Sequence, residues 1–162
     1  MICVSDALQE NETLEQKASD IAMAYFRQGY NCAECVFLSY LDTHDTPLPR
    51  ELAGIISGFG GGIGHTKHLC GAVSGAVLAL GTTKGRGDIF ADKEPRERSA
   101  QLRQDIYPHF ADLVAEAKAH LGSLECAELT ASHKDFDSPE RRKGCGAMVS
   151  YCAALAARHG AK

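Results

Sequence analysis

The chain has 162 residues, 44% hydrophobic and 23% charged, the length and composition of one packed domain, which excludes a disordered or collagen-like chain. Seventeen Lys and Arg against 21 Asp and Glu leave a net charge of -4, so there is no basic field to hold a nucleic-acid backbone. Seven cysteines are too few for a disulfide-built miniprotein, and MICVSDALQENETLEQ contains neither a signal peptide nor a membrane span. The expected location is therefore the cytoplasm. Thiols in a reducing compartment are seldom structural disulfides, so the cysteines point to metal binding or redox chemistry.

Residues 1–11 read as a polar leader and 12–162 as a single domain. Asn11 is placed to cap a first helix through Leu14, Ala18, Ile21, Ala22 and Tyr25, ended by Gly29. Asn31 is the next cap, for a helix from Cys32 to Asp42 with Val36, Phe37, Tyr40 and Leu41 near one face. After turn material, Pro49 suits the first turn of a short third helix through Ile55 and Ile56, which runs into the glycine-rich stretch 58–64. A fourth helix starts near Cys70. Its Gly71, Gly75 and Ala79 recur every four residues and leave one face nearly free of side chains, for another helix or for a second subunit in a homodimer.

Gly81 to Gly87 reads as a flexible break. A long helix is expected from Pro95 to His120, with Leu102, Ile106, Phe110, Leu113, Ala117 and Leu121 inward and a kink at Pro108. The stretch 122–143 is mixed and polar, and a final helix is expected from Gly144 to Arg158 through Met148, Cys152 and Leu155. No run reads as a strand. The expected fold is all-α: a bundle of five to six helices with a glycine-rich loop.

On this plan Cys32, Cys70 and Cys145 fall in the first turns of helices, where unpaired N–H groups favour a thiolate and lower its pKa. His65, Lys67 and His68 precede Cys70, and Arg141, Arg142 and Lys143 precede Cys145, adding positive charge. His65 and His68 are candidates to ligate a metal or to hydrogen-bond a sulfur. Cys32 and Cys35 form a Cys-x-x-Cys pair, but no preceding strand supports a thioredoxin motif, Val36 replaces the His of a haem attachment site, and no second pair completes a zinc ribbon. The glycine run lacks both the dinucleotide register and the Gly-Lys-Ser/Thr of a phosphate loop, so it reads as backbone passing close to a cofactor or neighbouring helix, or as a flexible connection. No serine sits in a nucleophile elbow.

Gly29-Tyr30-Asn31-Cys32-Ala33, the glycines 60–64, Cys70-Gly71-Ala72-Val73-Ser74-Gly75, Cys126 with Glu128-Leu129-Thr130, and Gly144-Cys145-Gly146-Ala147 together resemble the redox-active family named for its cysteines, C_GCAxxG_C_C, over residues 15–158. The chain departs from that name in having Cys70-Gly71-Ala72 where the pattern writes Gly-Cys-Ala. The resemblance implies that the characteristic cysteines are Cys32, Cys70, Cys126 and Cys145, with Cys3, Cys35 and Cys152 as extras. A similar domain lies beside a haem segment in split-Soret cytochromes, in association with an iron-sulfur centre. This chain lacks Cys-x-x-Cys-His, so haem is not expected. The resemblance thus implies a redox role and an iron-sulfur cluster, and the expected function is electron transfer or redox sensing by a small protein that holds the cluster through these four cysteines and meets a redox partner. Structural zinc on the same thiols, and a metal-free Cys32/Cys35 dithiol, remain open alternatives.

Overall fold

In the computed structural model, which describes residues 12–162, α1 (Leu14–Arg27) is capped by Thr13, whose side chain accepts from the Gln16 N–H. The cap expected at Asn11, like Cys3, lies outside the described residues. Gly29, at φ 95°, turns the chain after α1 as expected, and the left-handed conformation is one that glycine adopts at little cost. Then α2 (Cys32–Thr43) begins at Asn31. Leu52 and Ile56 bring the chain back to the bundle through short 3-10 turns and the single turn α3 (Ala53–Ile56).

The glycine face of α4 (Gly71–Lys84) is covered by α2 of the same chain. A Cβ on Gly75 would meet the Ala33 carbonyl oxygen at 2.7 Å and the Ala33 Cα at 2.9 Å. That closeness answers the choice left open between a helix and a second subunit for this face. Gly81 does not break the helix, which runs on to Lys84; one glycine inside a helix costs only about 1 kcal/mol relative to Ala, less than the surrounding packing supplies.

The long helix expected from Pro95 is divided into α5 (Pro95–Gln101), a π-helical turn over Leu102–Ile106, and α6 (Tyr107–Leu121). The expected kink at Pro108 takes the form of this π turn. A proline ring collides with the carbonyl four residues earlier, and widening the preceding turn, where the Tyr107 N–H reaches back to the Leu102 carbonyl, relieves the collision. Leu113 and Ala117 of α6 are buried, and Gly122 in the left-handed region ends the helix.

The final helix, α8, is Pro139–Gly160 rather than Gly144–Arg158. Ser138 accepts from the Arg141 N–H at 3.1 Å and Pro139 fills the first helical position, a start signal embedded in the polar stretch. α1, α2, α4 and α8 enclose a core that includes Ala22, Val36, Val73, Leu80, Val149 and Leu155. Among the described residues there is no strand, only an isolated bridge between Leu69 and Glu125, and no helix is long and apolar enough to cross a membrane.

At the far end of α8, Glu116 of α6 accepts from Arg158 and bonds His159 at 2.9 Å, while Arg158 also reaches Glu15 at 3.4 Å. Hydrogen bonding from Arg158, then from His159, pulls the Glu116 carboxyl down to about 2 from its ordinary 4.5. A depressed carboxyl stabilises the fold above its unfolded pKa, and that contribution is lost as the pH falls from about 4.5 towards 2. Glu116→Gln is therefore expected to flatten the acid limb of stability against pH, measured by urea unfolding at successive pH values. Identical limbs for the two proteins would overturn this assignment.

Candidate functional site

Cys32 opens α2 because Asn31 forms a capping box: its side chain accepts from the Ala33 and Glu34 N–H groups at 3.0 Å, and Glu34 accepts from the Asn31 N–H at 2.9 Å. Asn31 Nδ2 also donates to the Ser57 carbonyl at 2.9 Å, tying this helix start to the approach of the glycine loop. Cys70 is the N-cap residue of α4. Around the Leu69–Glu125 bridge the Cys70 N–H donates to Leu124 at 2.8 Å and the Cys126 N–H to His68 at 2.7 Å. This staple places Cys126, the first residue of the single turn α7 (Cys126–Leu129), beside Cys70.

Cys145 arrives differently. With α8 starting at Pro139, Cys145 lies in its second turn, not in a first turn as expected, so the helix-start argument does not apply to it. The expected cationic neighbour is present: Arg141, one turn earlier, points Nη1 at Cys145 Sγ at 3.8 Å and stacks on Phe136 at 4.2 Å.

The glycine stretch is a built turn rather than a flexible connection. Gly61, Gly62, Ile63, Gly64 and His65 all have φ between 61° and 73°, and the Lys67 and His68 N–H groups reach back six residues to the Gly61 and Gly62 carbonyls at 3.0 and 2.9 Å. Left-handed backbone costs a β-branched residue such as Ile63 about 1–2 kcal/mol, so surrounding contacts hold this turn in place. The close passage expected of the glycines is what the turn achieves: a Cβ on Gly62 would meet Cys126 Cβ at 2.7 Å, and Gly61 lines the same cavity as Cys32. A Cβ on Gly71 would fall on Cys32 Sγ.

Cys32, Cys70, Cys126 and Cys145, from four separate chain segments, line one small cavity with Gly61, Ala72 and Met148. Neither Cys35 nor Cys152 lines it. Cys35 is fully buried and directs its thiol at the Tyr30 carbonyl, 3.5 Å away; Cys152 is fully buried in the core. His65 and His68 do not line this cavity either. His65 pairs with Asp137 at 2.6 Å, and His68 is engaged through its backbone.

The thiolate expectation is reversed at Cys32 and Cys70. Burial pushes the Cys32 and Cys126 thiols up, Cys70 to about 11 and Cys35 to about 12. Backbone N–H groups at Cys32 and Cys70 pull the other way but are outweighed, and thiolates at neighbouring cysteines would repel one another. Desolvation of an anion exceeds what a few amide dipoles return. A set of buried thiols in mutual electrostatic reach is deprotonated when a metal supplies the compensating charge.

Among the described residues no three His, Cys, Asp or Glu side chains are grouped so as to hold a metal ion. The donor set, four thiols and no carboxylate or imidazole in the cavity, is a soft set that both zinc and iron-sulfur clusters take.

Residues 30–159 match the family described as "Putative redox-active protein (C_GCAxxG_C_C)", a span that contains all four cavity cysteines. An uncharacterized protein of Archaeoglobus fulgidus is 28% identical over 137 residues, covering 83% of this chain and 87% of that protein. No solved structure matches the chain.

Proposed function

The chain belongs to the redox-active C_GCAxxG_C_C family, and from that membership we propose that it is a small redox protein whose Cys32, Cys70, Cys126 and Cys145 hold an iron-sulfur cluster for electron transfer. The observation that carries this reading is the convergence of these four cysteines on one cavity that excludes Cys35 and Cys152. Such a cluster, when bound, accepts and returns electrons at a potential set by its surroundings. The chain's part is to hold the thiolates and tune their charge. The backbone at Gly61 beside Cys32 and at Ala72 and Val73 beside Cys70 favours charge on sulfur, and Arg141 places positive charge against Cys145. All of these favour the more negative, reduced state. Burial of the cysteines acts in the opposite direction, because a low dielectric penalises added charge.

One observation weighs against the dithiol alternative. A Cys32/Cys35 dithiol needs a thiolate attacker, and Cys35 is fully buried with its pKa pushed up to about 12. Structural zinc would use the same four thiols, so metal content decides between the two. The test is iron, acid-labile sulfide and zinc content with a visible spectrum, on protein purified without oxygen. Iron with sulfide in a brown protein is the expected result. Colourless protein carrying stoichiometric zinc would replace the cluster with a structural metal, and metal-free protein that resists cluster reconstitution would return the cysteines to thiol chemistry.

A further inference from the structure

On the solvent side of the cysteine site a second cavity, of about 330 Å³, opens between the left-handed glycine turn and the first turns of α8. Cys32, Gly61, Arg141 and Cys145 form part of its wall, so it shares four of its residues with the thiol cavity. Its charged groups are Arg141 and Arg142, with His65 at the rim, and none of its lining residues carries a carboxylate. The chain is acidic overall, which makes a cavity of this sign a local departure.

Both arginines are fixed by contacts that use only part of their forks. Arg142 gives Nη2 to the Phe26 and Tyr30 carbonyls at 2.7 and 3.2 Å and lies over the Phe26 ring at 4.3 Å. Arg141 gives Nε to the Phe136 carbonyl at 2.6 Å and Nη1 to Cys145. The remaining N–H groups, Nε and Nη1 of Arg142 and Nη2 of Arg141, have no hydrogen-bond partner among the described residues. Guanidinium groups held by stacking and carbonyl contacts lose little further freedom when they bind, and their planar N–H pairs match the oxygens of a carboxylate or phosphate. Two carboxylates adjoin the wall and both are engaged: Asp137 by His65, and Glu34 by the Asn31 N–H and the Ser57 hydroxyl.

We propose that this cavity binds a small oxyanion, held by Arg141 and Arg142 against the Cys32 and Cys145 side of the site. The volume lies at the lower end of the range for small-molecule pockets and suits a compact ligand rather than a nucleotide. The inference rests on the redox reading for its place beside a redox centre, but the binding itself depends only on the arginines and the turn.

Gly64 supplies the test. It lines the cavity, its φ is 61°, and a Cβ there would meet nothing within 4 Å. Asn and Asp are the non-glycine residues that best tolerate this backbone, and Ile63 and His65 on either side already adopt it. Gly64→Asp puts a carboxylate on the cavity wall, and Gly64→Asn is its uncharged isostere. Isothermal titration with inorganic phosphate and with acetate at low ionic strength is expected to show saturable binding of at least one. Gly64→Asp should weaken it by about tenfold or more, and Gly64→Asn by no more than about twofold. Arg142→Gln, checked for fold by circular dichroism, should abolish it. No binding of either anion, or equal binding by the Asp and Asn variants, would overturn the proposal. Iron and sulfide are measured on the same samples: anion binding by iron-free protein would leave this inference standing while the cluster reading failed, and iron without anion binding would do the reverse.

Discussion

Replacing any one of Cys32, Cys70, Cys126 or Cys145 by Ser is expected to strip the anaerobically purified protein of iron, acid-labile sulfide and visible absorption, while Cys35→Ser and Cys152→Ser retain all three. A serine hydroxyl is a harder, more basic donor than a thiol and a poor substitute for it on iron. Removing one of four ligands from a buried cavity also leaves three anionic sulfurs with an incomplete countercharge, so the loss should be nearly complete for each variant rather than a quarter of the whole. Cys35 and Cys152 report on packing instead. A hydroxyl at 35 can keep the bond to the Tyr30 carbonyl, whereas one at 152 would be fully buried in the core, so Cys152→Ser should cost the more, about 1–3 kcal/mol by urea unfolding. Iron retained by Cys126→Ser but lost by Cys35→Ser would move the ligand set to the Cys-x-x-Cys pair and overturn the assignment.

How much of this site the sequence discloses depends on the range over which each signal acts. Asn31 before Cys32 is a local signal, a side chain satisfying N–H groups two and three residues on, and the structure has that cap. The four-residue spacing of Gly71 and Gly75 likewise gives the close face of α4, because helical periodicity is local, although which helix occupies that face is not. Ser138-Pro139 is an equally local start signal. It lies among charged residues without an apolar period, where periodicity gives no support, and missing it misplaces Cys145 by more than one helical turn. The pKa reversal has a different origin. Proximity to a helix start is visible along the chain, whereas desolvation depends on what packs around the sulfur in three dimensions, and it is the larger effect at Cys32 and Cys70. The convergence of residues 32, 70, 126 and 145 is likewise a tertiary fact. It requires the Leu69–Glu125 bridge and the left-handed turn of residues 61–65, and neither follows from periodicity.

That dependence on close backbone makes the two glycines of α4 the sharpest probes of how the fold builds the site. Gly75→Ala is expected to destabilise the protein by about 3 kcal/mol, because the new methyl would meet the backbone of Ala33 at 2.7–2.9 Å and backbone cannot rotate out of the way. For a chain of this size that is roughly 6–12 °C in Tm. Gly71→Ala meets the Phe59 carbonyl oxygen at 2.9 Å and also falls on the sulfur of Cys32, the end of a short side chain that can turn aside. Turning aside takes the sulfur out of the cavity. Gly71→Ala should therefore lose iron out of proportion to its loss of stability, while Gly75→Ala, one turn further along the same interface, loses stability and binds iron whenever it is folded. Thermal unfolding monitored by circular dichroism, set beside iron content at a temperature where both variants are folded, separates the two. If Gly71→Ala kept its iron, Cys32 would not be a ligand, and the close approach of α4 to α2 would serve packing alone.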